Sequence, residues 1–178
     1  MTDNEYWFWL PINPEPWSMG ELGVGRRNKG VYPYVTPNKM LEAYQNAVRE
    51  ELDAMDVSVL PLGEYDIRFF FWRLLDEYRL PSGRKSSRHV VDATNMQKAL
   101  EDSLQKRLID NDRHVRFISS EIAAQNRQVS YPGTAIRITK YTGFDQKQIP
   151  DFVWTMIEKK QETLPTESTW QAPGEEVF

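Results

Sequence analysis

Val90-Val91-Asp92-Ala93-Thr94-Asn95-Met96-Gln97-Lys98 opens the segment that decides how this chain folds, and Leu108-Ile109-Asp110-Asn111-Asp112-Arg113 closes it. The two valines lead in like the end of a strand. Thr94 and Gln97 have capping-box spacing, so a helix is expected from Asn95 to about Leu108. Met96, Ala99, Leu100, Leu104 and Leu108 then form its buried stripe. Thr94, Lys98 and Asp102 recur every four residues on a different stripe. Asp92 stands just ahead of that stripe, where the helix dipole favours a carboxylate.

Working outward, Tyr65 to Trp72 puts Tyr65, Ile67, Phe69 and Phe71 on one parity and Phe70 and Trp72 on the other. That pattern is a buried strand central in a sheet. Tyr6-Trp7-Phe8-Trp9-Leu10 reads as another buried strand, ended by Pro11, Pro14 and Pro16. Core packing is expected for Trp7, Trp9, Phe69, Phe71 and Trp72, in preference to base stacking. Residues 11–35 read as a long connection holding a flexible basic loop, Gly23 to Gly30, with Arg26, Arg27 and Lys29. Thr36-Pro37 is a helix start, followed by a stripe of Met40, Leu41, Tyr44, Val48 and Leu52. Leu80 to His89 reads as a second basic loop, with Arg84, Lys85 and Arg88. Strands are expected at His114–Ile118 and Ala135–Tyr141, separated by a polar stretch with Tyr131-Pro132-Gly133, and a short helix at Asp151–Lys160. The order indicates one compact α/β domain over residues 1–160, a mixed β-sheet flanked by helices. Residues 161–178 are expected to be an acidic, flexible tail.

Composition narrows the chemistry. The 178 residues contain no cysteine and two histidines, which excludes disulfides and thiolate metal sites and disfavours an imidazole-built zinc site. Any metal is expected to be held by carboxylates, which favours magnesium or manganese. The net charge of −4 argues against a nonspecific nucleic-acid coat but leaves room for a local basic surface. No signal-peptide pattern and no apolar run of membrane-spanning length is present, and a cytoplasmic, membrane-free setting is expected.

Spacing alone leaves two readings of the central segment open. In one, Lys98 and Asp102 are a surface pair and Asp110 and Asp112 are turn residues. In the other, Asp92, Asp112 and Asp102 hold a metal that activates water at a phosphodiester, while Lys98 adds positive charge. The basic loops have the same duality, as solvated polar loops or as phosphate contacts on DNA arms. His89 reads as structural or as a phosphate neighbour, and nothing in the pattern ties Glu121 to a metal.

The segment resembles the RusA family of Holliday junction resolvases. That family carries D-x-D-N-x-x-K-x-x-x-D-x-L followed by D-D-x-x-V entering a strand. Here the first part reads Asp92-Ala93-Thr94-Asn95-Met96-Gln97-Lys98 with Asp102 and Leu104, and the second Asn111-Asp112-Arg113-His114-Val115. The resemblance spans about residues 6–141, including the apolar strand that ends in Leu10-Pro11-Ile12-Asn13-Pro14.

The resemblance implies a homodimeric, magnesium-dependent endodeoxyribonuclease, of a kind common in phages and prophages, that cuts four-way junctions symmetrically. It implies metal-binding roles for Asp92 and Asp112, a catalytic role for Lys98, and a further acidic role for Asp102. One departure stands out: the family's second aspartate is Thr94 here, with Asp110 a possible replacement for the lost charge. That departure keeps open a junction-binding protein that cuts weakly. A flap or fork nuclease sharing the same site is a further alternative.

Overall fold

The computed structural model describes residues 5–18, 21–27, 30–36, 38–79 and 83–163, with the backbone alone described for 21–36 and 160–163. The chain divides into two compact units, Met1–Tyr141 and Thr142–Phe178. Within the first unit, β1 (Glu5–Leu10), β4 (Tyr65–Leu74), β7 (Val115–Asn126) and β8 (Gly133–Lys140) form one sheet in the order β1-β8-β4-β7. β4 pairs with β7 in parallel and with β8 antiparallel, and β1 pairs antiparallel with β8. The sheet is therefore mixed, as the sequence indicates, and β4 lies inside it.

The parallel pair requires a crossover, and helix α2 (Ala93–Leu104) supplies it. Helix α1 (Lys39–Ala54) packs beside α2. Tyr44, Val48 and Leu52 of α1 and Met96, Ala99, Leu100 and Leu104 of α2 are buried in one core with Leu10, Tyr65, Ile67, Phe69, Phe71, Ile136 and Ile138. Those strand residues all face the same way, so both helices cover one face of the sheet. The opposite face carries Trp7 stacked on Phe70 at 6.0 Å between ring centres, and Trp9 edge-on to Trp72 at 5.6 Å. Trp7 remains 52% exposed and Trp9 41%. The expected core packing thus holds for Phe69 and Phe71, whereas β1 is a half-exposed edge strand rather than a buried one.

Several boundaries differ from those read in the sequence, each for a local reason. Residues 11–35 are not a continuous loop: β2 (Glu21–Arg27) and β3 (Gly30–Thr36) pair as an antiparallel hairpin across the glycine-bearing stretch. Thr36 ends β3, and Asn38 caps α1 instead, its side chain accepting from the N–H groups of Met40 and Leu41. The basic segment after Leu80 includes a short hairpin strand, β6 (Lys85–Ser87), paired with β5 (Glu77–Arg79). Val90-Val91 joins no strand ladder. Helix α2 stops at Leu104, because Lys106 turns left-handed (φ 62°) and the Leu108 and Ile109 N–H groups fold back onto the Leu104 carbonyl. That turn still buries Leu108 and Ile109 completely. β7 runs on to Asn126, well past Ile118. In the second unit, α3 (Asp151–Thr163) extends through residue 160, where the domain boundary was expected. The tail beyond residue 163 lies outside the described residues.

Gly133 shows how tightly the edge strand is seated. A Cβ at this position would lie 2.5 Å from both the Leu10 carbonyl oxygen and the Trp9 ring. Gly133→Ala is accordingly expected to lose about 1–3 kcal/mol of stability through overpacking. Urea unfolding followed by tryptophan fluorescence measures this directly, and an unchanged midpoint would contradict the close packing of β1 on β8.

Candidate active site

Helix α2 carries the chemically interesting stripe, and its N-terminus differs from the capping box read in the sequence. Asp92, not Thr94, is the N-cap: its Oδ1 accepts from the Asn95 N–H at 2.8 Å, and its Oδ2 accepts from the Asn95 side-chain amide at 3.0 Å. Thr94 therefore lies one residue inside the helix, exposed. An ionised carboxylate offers about four lone-pair sites, so Asp92 keeps acceptor capacity on both oxygens. Lys98 and Asp102 follow on the exposed side.

The surface pair of Lys98 with Asp102 is not formed. The Lys98 ammonium sits 3.7 Å above the centre of the Trp17 ring. Trp17 is itself tied to the helix, its N–H donating to the Asn95 carbonyl at 2.8 Å. The ring quadrupole attracts the ammonium, and Lys98 stays exposed to solvent.

At the far end of α2, Asp112 begins the turn into β7, and its charge reaches Glu101. Glu101 has its pKa pushed up, first by burial and then by the charges of Asp102 and Asp112, with Gln97 opposing. The sequence reading missed Glu101, which occupies the helical position between the buried Leu100 and the exposed Asp102. At 1.5 Å per residue, Asp92 stands about 14 Å along the helix axis from Glu101. The structure thus gathers Asp102, Glu101 and Asp112 at one end and leaves Asp92 at the other.

Asp110 is directed elsewhere. Its carboxylate meets His114 Nδ1 at 2.7 and 2.9 Å and accepts from the Asn111 N–H, and the His114 contact foremost holds its pKa below the usual carboxylate range. It does not replace the charge missing at Thr94.

The basic candidates separate into distinct groups. Arg26 and Arg27 lie at the end of β2, beside the hairpin turn, while Lys29 lies outside the described residues. Arg84 and Lys85 are exposed, and Lys85 is 3.5 Å from Glu77. Arg88 is not free: its guanidinium is engaged by Glu15 and Asp76. His89 is exposed, and Glu121 lies on β7.

Donor chemistry fits a hard divalent cation. The candidate ligands are exposed carboxylates, oxygen donors of the kind such a cation takes. Among the described residues no three His, Asp or Glu side chains converge on one point. Magnesium does not require that, because it binds through one or two carboxylates completed by waters and substrate phosphates.

Carboxylates and a lysine along one exposed helix, at a crossover between parallel strands, are the groups a nuclease uses. Residues 15–139 match the family described as endodeoxyribonuclease RusA, well over half of the 178 residues, and the chain belongs to that family. The family's activity is endonucleolytic resolution of Holliday junctions, and it binds branched DNA. No curated protein matches the chain at a significant level. Among the described residues no helix is long and apolar enough to cross a membrane.

The capping role of Asp92 is open to measurement. Asp92→Ala is expected to cost about 1 kcal/mol through loss of the cap, and Asp92→Ser to restore most of it. Denaturant midpoints of the three proteins test this. Identical midpoints would mean that the cap contributes nothing to stability.

Proposed function

We propose that this protein is a divalent-metal-dependent endonuclease that resolves four-way DNA junctions as a homodimer, nicking two strands at matched positions by phosphodiester hydrolysis. The observation that carries the reading is the exposed run of Asp92, Lys98 and Asp102 along α2, with Asp112 beside its far end, inside the segment that matches the family. Magnesium, or manganese in its place, would supply an activated water and neutralise charge on the phosphate. Asp92 at one end of α2, and Asp102 with Asp112 toward the other, are the carboxylates to hold metal ions, one or two at a time with waters and phosphate completing the shell.

Lys98 stabilises charge that develops on the scissile phosphate, with Trp17 fixing where the ammonium sits. Arg26, Arg27, Lys29, Arg84 and Lys85 contact backbone phosphates, setting register on the DNA arms without reading sequence. Arg88 contributes through its grip on Glu15 and Asp76 more than through free charge. The dimer belongs to the proposal because two sites related by a two-fold axis suit a two-fold junction. The setting is the cytoplasm of a bacterial or phage-infected cell.

Cleavage of a synthetic four-way junction with magnesium tests the assignment. Asp92→Asn and Lys98→Ala are each expected to fall by about 100-fold or more relative to the unmodified protein. Equal rates for all three would end it. Forks and flaps cut at the same rate as junctions, at fixed salt, would redirect the substrate assignment.

One observation favours a second reading, a junction-binding protein that cuts weakly: Thr94 removes a carboxylate that Asp110, turned toward His114, does not replace. Thr94→Asp separates the two. A gain in cutting of about tenfold or more supports the weakened site, and an unchanged rate supports a site adapted to threonine.

A further inference from the structure

The three residues before Asp92 form no strand, yet His89 and Val91 are both tied down through their backbone. Gln125 does this with its side chain. Its Oε1 accepts from the Val91 N–H at 3.0 Å, and its Nε2 donates to the Val91 carbonyl at 2.9 Å. One amide thus satisfies both backbone groups of a single residue, as a neighbouring strand would. The same Oε1 accepts from Arg73 Nη1 at 3.1 Å, and Arg73 also donates to the His89 carbonyl. Arg73 is 2% exposed and anchored further by the Pro14 carbonyl at 2.8 Å and the Glu15 carboxylate at 3.6 Å.

Arg73 and Gln125 are register partners on the parallel pair β4 and β7, near its carboxyl end. That end of a parallel sheet is where a crossover helix begins and where ligands of α/β proteins are bound. Here the helix begins at Asp92, whose carboxylate is already oriented from the other side by Asn95.

We infer that Gln125 and Arg73 are positioning residues for Asp92, gripping the chain immediately before it so that its carboxylate holds one orientation toward the reacting phosphate. The inference rests on the proposed role of Asp92. Neither residue touches substrate. Gln125 acts through the Val91 backbone, and Arg73 through the His89 carbonyl and through Gln125 itself, much as outer partners orient the ligands of metal sites.

Two near-isosteric variants test it. Gln125→Met removes every bond to Val91 while filling similar volume. Gln125→Glu keeps the bonds to the Val91 N–H and Arg73 but loses the donor to the Val91 carbonyl. The expected order of kcat on a four-way junction with magnesium is unmodified protein, then Glu, then Met, with Met lower by about 10- to 100-fold. Junction Kd, measured with calcium replacing magnesium, is expected to stay within about twofold, because the loss falls on kcat and not on binding. Amide exchange at residues 89–95 is expected to quicken in Gln125→Met while the core of β4 stays protected.

A Gln125→Met protein with unchanged kcat, or one whose exchange quickens throughout the core, would overturn the positioning role. If Asp92→Asn cuts as fast as the unmodified protein, the role of Asp92 falls, and the inference falls with it. That outcome differs from one in which Asp92→Asn is inactive and Gln125→Met is normal.

Discussion

A guanidinium with almost no access to water is costly to bury, several kcal/mol before compensation, and it persists only where partners surround it. Arg73 meets that condition at the carboxyl end of β4. Burial pulls its pKa down, and the neighbouring Glu15 carboxylate pushes it back up. Its partners come from segments far apart in the chain: Pro14 and Glu15 after β1, His89 before α2, and Gln125 on β7. Glu15 in turn engages Arg88, and Arg88 engages Asp76, so the β5–β6 hairpin hangs from the same network. Removing Glu15 would leave the buried Arg73 without its carboxylate partner, which is why the network favours one arrangement.

The placement of the functional groups follows from that anchoring. With the lead-in to α2 fixed at one end and the buried turn at Leu108 and Ile109 fixed at the other, α2 becomes a rigid rail across the parallel strands. Its inner stripe is immobilised in the core, and its outer stripe presents Thr94, Lys98 and Asp102 at set intervals. Asp92 caps one end of this helix, and Asp112 opens the turn into β7 after the other.

The parts of this arrangement that could be read from sequence are those with strong local periodicity. The alternation from Tyr65 to Phe71 identified the central strand, and the stripe from Met96 to Leu108 identified the inner face of α2. Lys98 and Asp102 were placed correctly on the outer face by the same period. What escaped was non-local or ambiguous. Thr94 with Gln97 fits a capping box, but Asp92 caps the helix two residues earlier by accepting from the Asn95 N–H. Arg73 reads as a polar end to an apolar strand, since its partner Gln125 lies 52 residues away. The stacking of Lys98 on Trp17 has no sequence signature at all. Glycines and prolines between Pro11 and Val35 hid the β2–β3 hairpin, because they are the residues usually taken to interrupt strands.

On the proposed reading Asp92 is both helix cap and metal-binding carboxylate, and that pairing has an evolutionary consequence. Asparagine and serine cap helices as well as aspartate does, and a codon for asparagine lies one base change from one for aspartate. Loss of activity at this position therefore carries no folding penalty for selection to remove. Descendants of this chain that drift toward pure DNA binding would be expected to record the change first at position 92, with the fold intact around it.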